Sequence, residues 1–136
     1  MKRFLSLALC IGLLCVMVLP ASANTGNEYL LEYDHINTVT ANLSISGFWG
    51  IASCDGSITA RGDYPVYVEV YLQQHTEDGW ETLQVWTSED QMHTDAGGKY
   101  AVASGYQYRT YVIGYVYDSD GEVIDSATAK YAVTYD

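Results

Sequence analysis

The chain has 136 residues, and its 6 Lys and Arg stand against 17 Asp and Glu, for a net charge of −11. That balance excludes the phosphate backbone of nucleic acids and anionic membranes as electrostatic partners. The 13 tyrosines, with abundant Val and Ile, bring enough buriable apolar area to exclude an acidic disordered chain.

The first residues, MKRFLSLALCIGLLCVMVLPASANTG, carry Lys2 and Arg3, then an uncharged apolar run from Phe4 to Leu19. Ala21-Ser22-Ala23 follows Pro20 and has the small-x-small form of a cleavage site. This is the pattern of a secretory signal peptide, residues 1–23, rather than of a membrane span, which needs roughly 20 apolar residues. Cleavage there predicts a secreted, extracellular protein with no membrane attachment. Loss of Lys2 and Arg3 leaves four basic residues against 17 acidic ones, a balance of −13. Cys10 and Cys15 leave with the signal, so Cys54 stands alone as a small buried hydrophobe without an intramolecular partner.

After Ala23 the pattern alternates with period two. Residues 24–36 form a leader or an edge strand, and a single domain is expected over 37–136. The first strand runs Asn37–Ile45, with Val39, Ala41, Leu43 and Ile45 on one face. The second, Trp49–Ala60, places Ala52, Cys54, Ile58 and Ala60 together, with Gly56 as a bulge. The third, Val66–Gln74, turns Val66, Val68, Val70 and Leu72 one way and Tyr67, Glu69, Tyr71 and Gln73 the other. A turn at Glu77-Asp78-Gly79 leads into a fourth strand, Trp80–Thr87. Ser88–Gly98 reads as a polar loop and Lys99–Ala103 as a short fifth strand. The sixth is Tyr106–Tyr117, and an Asp-Gly hairpin turn leads to the last, Val123–Tyr135, with a break near Ser126. About seven strands spaced by turns predict an all-β fold. The expected form is a two-sheet antiparallel immunoglobulin-like sandwich, preceded by the signal-peptide helix. In that topology the third, sixth and seventh strands share a sheet.

Leu72-Gln73, Trp80, Trp86 and Gly105-Tyr106-Gln107-Tyr108-Arg109, with the upstream string IASCDGSITA, carry a resemblance. The chain over roughly residues 45–125 resembles a family of small secreted proteins of Gram-positive bacteria. The resemblance implies secretion and a β-sandwich, and it brings no catalytic residues and no cofactor.

Arg61-Gly62-Asp63, before Tyr64-Pro65, has the form of an integrin-adhesion tripeptide. It is also ordinary turn chemistry, with Gly free to take positive φ and Pro fixing the start of the next strand. The turn is the preferred reading. Asp118, Asp120 and Glu122 resemble half of a calcium loop, but strands flank them where an EF-hand has helices, so hairpin chemistry accounts for them. His35, His75 and His93 lack metal-ligand spacing, and no nucleophile motif is present, so the chain is not expected to be an enzyme or to carry a cofactor.

The strongest candidate site is aromatic. If Tyr108, Thr110, Val112, Gly114 and Val116 face the core, alternation turns Arg109, Tyr111, Ile113, Tyr115 and Tyr117 outward. Tyr67 and Tyr71 on the third strand then join them, giving a tyrosine-rich face with Arg109 as the lone cation. Tyrosine's rigid body and polar tip suit contact with a protein or a cell-surface glycan. The expected function is therefore a non-catalytic binding module. A structural extracellular protein without a specific ligand, or a hydrolase, is the alternative.

Overall fold

The computed structural model describes residues 33–136; the expected signal-peptide helix and most of the expected leader lie outside the described residues. Seven strands follow in order: β1 Ile36–Ser46, β2 Ile51–Ala60, β3 Pro65–Thr76, β4 Gly79–Gln91, β5 His93–Ala101, β6 Tyr106–Tyr117 and β7 Val123–Tyr135. They form two antiparallel sheets, one of order β1-β2-β5 and one of order β4-β3-β6-β7. The immunoglobulin-like sandwich read from the alternation is the observed architecture. β3, β6 and β7 share a sheet as expected, and β4 extends that sheet at its edge beside β3.

Alternation builds the interior. On β3 the side chains of Val66, Val68, Val70 and Leu72 are buried, and on β6 those of Tyr108, Thr110, Val112 and Val116. β1 and β2 contribute Val39, Ala41, Leu43, Ala52, Cys54 and Ile58 from the opposite sheet. Each large aliphatic side chain so enclosed contributes about 1.5–3 kcal/mol of burial free energy. The corner into β6 is pinned by the Tyr108 hydroxyl, which donates to the carbonyl of Ala103 at 2.5 Å. A tyrosine at the start of the sixth strand that bonds a few residues upstream is the tyrosine corner of immunoglobulin-like sandwiches.

Four local expectations are corrected. Ser88–Gly98 is not a loop. β4 continues to Gln91 and β5 starts at His93, so only Met92, at φ 69°, separates them. The Met92 amide donates to the Tyr64 carbonyl at 2.8 Å and its carbonyl accepts from Ala60 at 2.8 Å, so the chain steps from one sheet to the other across a single residue. The polar composition that suggested a loop belongs to edge strands, whose outer rows face water. Gly56 is not a bulge, because β1 and β2 stay in register through it. It faces inward, where a Cβ would lie 2.4 Å from a methyl of Val112 and 2.9 Å from one of Val70. Trp49 precedes β2 and sits in the β1–β2 turn. The irregularity of the last strand falls between Val116 and Tyr117 of its partner, where Ile124 is the extra residue, and not at Ser126.

Candidate functional site: the outer face of the four-stranded sheet

Antiparallel register sets β3 against β6 with Tyr67 opposite Tyr115, Glu69 opposite Ile113, Tyr71 opposite Tyr111 and Gln73 opposite Arg109. Directly opposed residues share a face. Since Val66, Val68, Val70 and Val112 point inward, these eight side chains point out. The structure therefore brings Tyr67, Tyr71, Arg109, Tyr111, Tyr115 and Tyr117 onto one face, as alternation predicted. The Tyr67 and Tyr115 rings lie 5.9 Å apart with their planes tilted 33°, and those of Tyr71 and Tyr111 lie 6.3 Å apart at 55°.

Glu69 sits between the two ring pairs. The Tyr71 hydroxyl donates to its carboxylate, and Tyr115 feels the same negative charge. An anionic acceptor favours the neutral phenol, so both hydroxyls ionise late. The bond to Glu69, ahead of burial, raises Tyr71. Burial, ahead of Glu69, pushes Tyr115 up to about 12. Tyr117 is raised as well, mainly by burial.

Arg109 closes one end of the array. Its Nε donates to Gln73 Oε1 at 2.7 Å. Its guanidinium carbon lies 4.4 Å from the Trp80 ring centroid and 4.9 Å from that of Tyr111. Cation–π contact with two rings fixes the group while leaving it half-exposed. Burial lowers its pKa from the usual guanidinium range, and the group stays charged at neutral pH.

Sequence reasoning missed Trp80 and Lys130. Trp80 and Trp86 are six residues apart, so strict alternation puts them on one face. A register shift on β4 between the partners of Leu72 and Gln73 breaks that parity. Trp86 then opposes the inward Val70, whereas Trp80 opposes His75 on the outer side. The His75 and Trp80 rings meet edge to face at 5.0 Å. Lys130 on β7 is in register with Tyr111, so Arg109 is not the lone cation of this face.

The remaining candidates stand apart. Arg61-Gly62-Asp63 joins β2 to β3 as a turn, with Gly62 at φ 142° and the Tyr64 amide donating to the Gly62 carbonyl at 3.0 Å. Arg61 Nε donates to the Ile36 carbonyl at 2.9 Å, tying the arginine to the body of the domain. In the β6–β7 hairpin, Asp118 Oδ1 accepts from the amides of Asp120 and Glu122, each at 2.9 Å. That carboxylate closes the turn, which Asp120 and Glu122 enter through their backbone amides. His35 lies 3.9 Å from Asp125, and His93 Nδ1 is 2.8 Å from the Thr59 hydroxyl, so the three histidines occupy separate places. Among the described residues no group of three or more His, Cys, Asp or Glu is gathered to hold a metal ion. Cys54 is buried, and burial pushes its thiol up from its ordinary value, which makes it a poor nucleophile.

Comparison of the chain with known protein families and with curated proteins finds no match.

Proposed function

We propose that the protein is a secreted, non-catalytic binding module that engages a protein partner through the outer face of β4-β3-β6-β7. The observation that carries this reading is the paired array Tyr67–Tyr115 and Tyr71–Tyr111, set in register around Glu69. Tyrosine provides large contact area at low conformational-entropy cost and keeps a polar tip for hydrogen bonding. The Tyr71–Glu69 bond and the Arg109 stack hold the rings in place before any partner arrives, which lowers the entropic cost of association. The array spans two neighbouring strands and forms a broad surface, matched better by another protein than by a single sugar chain. The signal-peptide pattern at residues 1–23 supports an extracellular setting.

The test is a binding screen of the secreted protein against extracellular protein and glycan targets. Tyr111→Ser with Tyr115→Ser should abolish capture while the melting transition stays cooperative. Protease treatment of the target should remove binding, and periodate treatment should leave it. Unchanged affinity of the double variant removes the reading; periodate sensitivity with protease resistance assigns the face to a cell-surface glycan.

A further inference from the structure

The opposite sheet carries a second, chemically different surface. On the outside of β1 and β2, Asn42 opposes Asp55 and Ser44 opposes Ser53, and Lys99 of β5 opposes Ser53 on its other side. Two adjoining hollows share Ser44 and Ser53. One, of about 260 Å³, is also lined by Asn42, Asp55 and Tyr131. The other, of about 640 Å³, is lined by Ser46, Trp49, Ile51 and Lys99 among others. Together they make a trough running from Tyr131 to Trp49.

Its two ends are aromatic. Tyr131 is 41% exposed and Trp49 is 75% exposed. Trp49 stands in the β1–β2 turn, with Phe48 edge to face at 4.7 Å and 87°. The turn is held by the Gly50 amide, which donates to the Ser46 carbonyl at 2.8 Å, so the indole is offered from a fixed backbone. A tryptophan left this open has no packing role in the domain, and exposed large apolar groups clustered with polar neighbours mark contact sites. Between the ends, the floor offers hydroxyls, one amide, one carboxylate and the Lys99 ammonium, with Ile51 as an apolar element. Asn42 Nδ2 donates to Asp55 Oδ1 at 2.8 Å, which orients both groups and leaves the amide oxygen and the second carboxylate oxygen to a ligand.

We infer that this trough binds a linear neutral oligosaccharide, with a sugar ring stacked on Trp49 and hydroxyls bonded by Asn42, Asp55 and the serines. A pyranose has an apolar C–H face that packs on an indole and a rim of hydroxyls that both donate and accept. The floor supplies the matching donors and acceptors, and a few placed polar groups are what orient a ligand in such a site. Inside the trough Asp55 and Lys99 offset one another, and the chain's net charge of −11 repels anionic polysaccharides at long range, which together favour an uncharged chain. A lipid surface matches the Phe48–Trp49 tip alone and leaves the polar floor unused. This site is separate from the tyrosine face: its floor is the outer side of β1-β2-β5, and Tyr131 of β7 has the inward parity of Ala127 and Ala129, opposite to that of Lys130 beside Tyr111.

The test is affinity electrophoresis of the secreted protein through gels containing neutral polysaccharides: a β-glucan, a xylan, a mannan and a soluble cellulose derivative. Retardation by at least one is expected, with a shift in indole fluorescence on titration with the matching oligosaccharide. Trp49→Ala should weaken that binding at least tenfold, Asn42→Ala should weaken it measurably, and Tyr111→Ser with Tyr115→Ser should leave it intact. Trp49 is exposed, so its substitution spares the fold, and a matched melting curve checks this. Absence of retardation in every gel overturns the inference. So does retardation that survives Trp49→Ala, or that is lost only in the tyrosine variant. Binding to phosphatidylcholine vesicles that is lost in both Phe48→Ala and Trp49→Ala, without any polysaccharide binding, assigns the tip to lipid and also overturns it.

Discussion

Thr110 on β6 sits against Cys54 on β2, across the interior between the two sheets. Antibody-type sandwiches bridge these two strands with a disulfide, and their corner tyrosine lies two residues before the second cysteine. Tyr108 occupies that place relative to Thr110, so a hydroxyl stands where the partner sulfur would be. Thr110 Oγ1 is fully enclosed with no hydrogen-bond partner of ordinary geometry, and the thiol beside it is a weak one. Thr110→Val keeps the shape and removes the unsatisfied oxygen. It is expected to stabilise the domain by about 1 kcal/mol, read as a raised denaturant midpoint at unchanged slope. A lowered midpoint would mean that the thiol–hydroxyl contact contributes more than its chemistry suggests.

Glu69 and burial together keep Tyr71 and Tyr115 neutral, and this sets an alkaline response. Tyr115 ionises at about 12 in the folded domain against an ordinary value of 10.0, and Tyr71 is raised as well. Between those values the unfolded chain has lost protons that the folded one retains, so stability falls as pH rises. The contribution is fully present below about pH 10 and is lost as pH climbs through about 12. Glu69→Gln removes the charge and should bring both titrations down. Tyr71 should fall further than Tyr115, because Glu69 is its leading cause whereas burial leads for Tyr115. Residue-resolved tyrosine titration by NMR checks the order, and an equal fall in both would contradict it.

How much of this was legible in the sequence follows from where period two holds. β3 and β6 are regular central strands, buried on one face, so inward valines dictated outward tyrosines and the whole array could be read in advance. β4 is an edge strand with a register shift, and a shift of one residue swaps faces beyond it. Hence Trp80, which stacks on Arg109, was not placed. Lys130 was missed although the Asp-Gly hairpin announced the pairing of β7 with β6: a break expected near Ser126 left the face of the residues beyond it open, whereas the irregularity falls at Ile124 and Lys130 comes into register with Tyr111. Composition misled at Ser88–Gly98, where edge strands share with loops their polar side chains and glycines. The Trp49 trough left no period signal, since its residues come from four strands and a turn.

Gly56 tests the packing argument directly. Its position in the middle of β2 reads as a bulge, yet the strand is regular there and a Cβ would lie 2.4 Å from Val112 and 2.9 Å from Val70. Those valines belong to the opposite sheet and hold the centre of the core, so neither can yield without moving β3 or β6. Gly56→Ala should destabilise the domain by about 1–3 kcal/mol, despite alanine's better strand propensity, through overpacking. Gly56→Ala combined with Val112→Ala should recover part of the loss, because the added methyl fills space the valine vacates. Additive losses in that double-mutant cycle would refute steric contact as the cause.

Arg109 separates charge from shape. Its guanidinium lies over Trp80 and Tyr111 while Nε bonds Gln73, so the plane of the group matters as much as its charge. Arg109→Ala removes two ring contacts and one hydrogen bond and is expected to cost about 1–2 kcal/mol, with a change in Trp80 emission. Arg109→Lys keeps the charge but loses the planar stack and the fixed Nε donor. It should therefore recover less than half of that cost, and the emission change should persist. If the rings are held in place by the arginine, both variants should also weaken partner capture by the tyrosine face, with a faster off-rate. Full recovery by lysine in stability and emission would show that a positive charge suffices there, and the preorganisation argued for Tyr111 would lose its support.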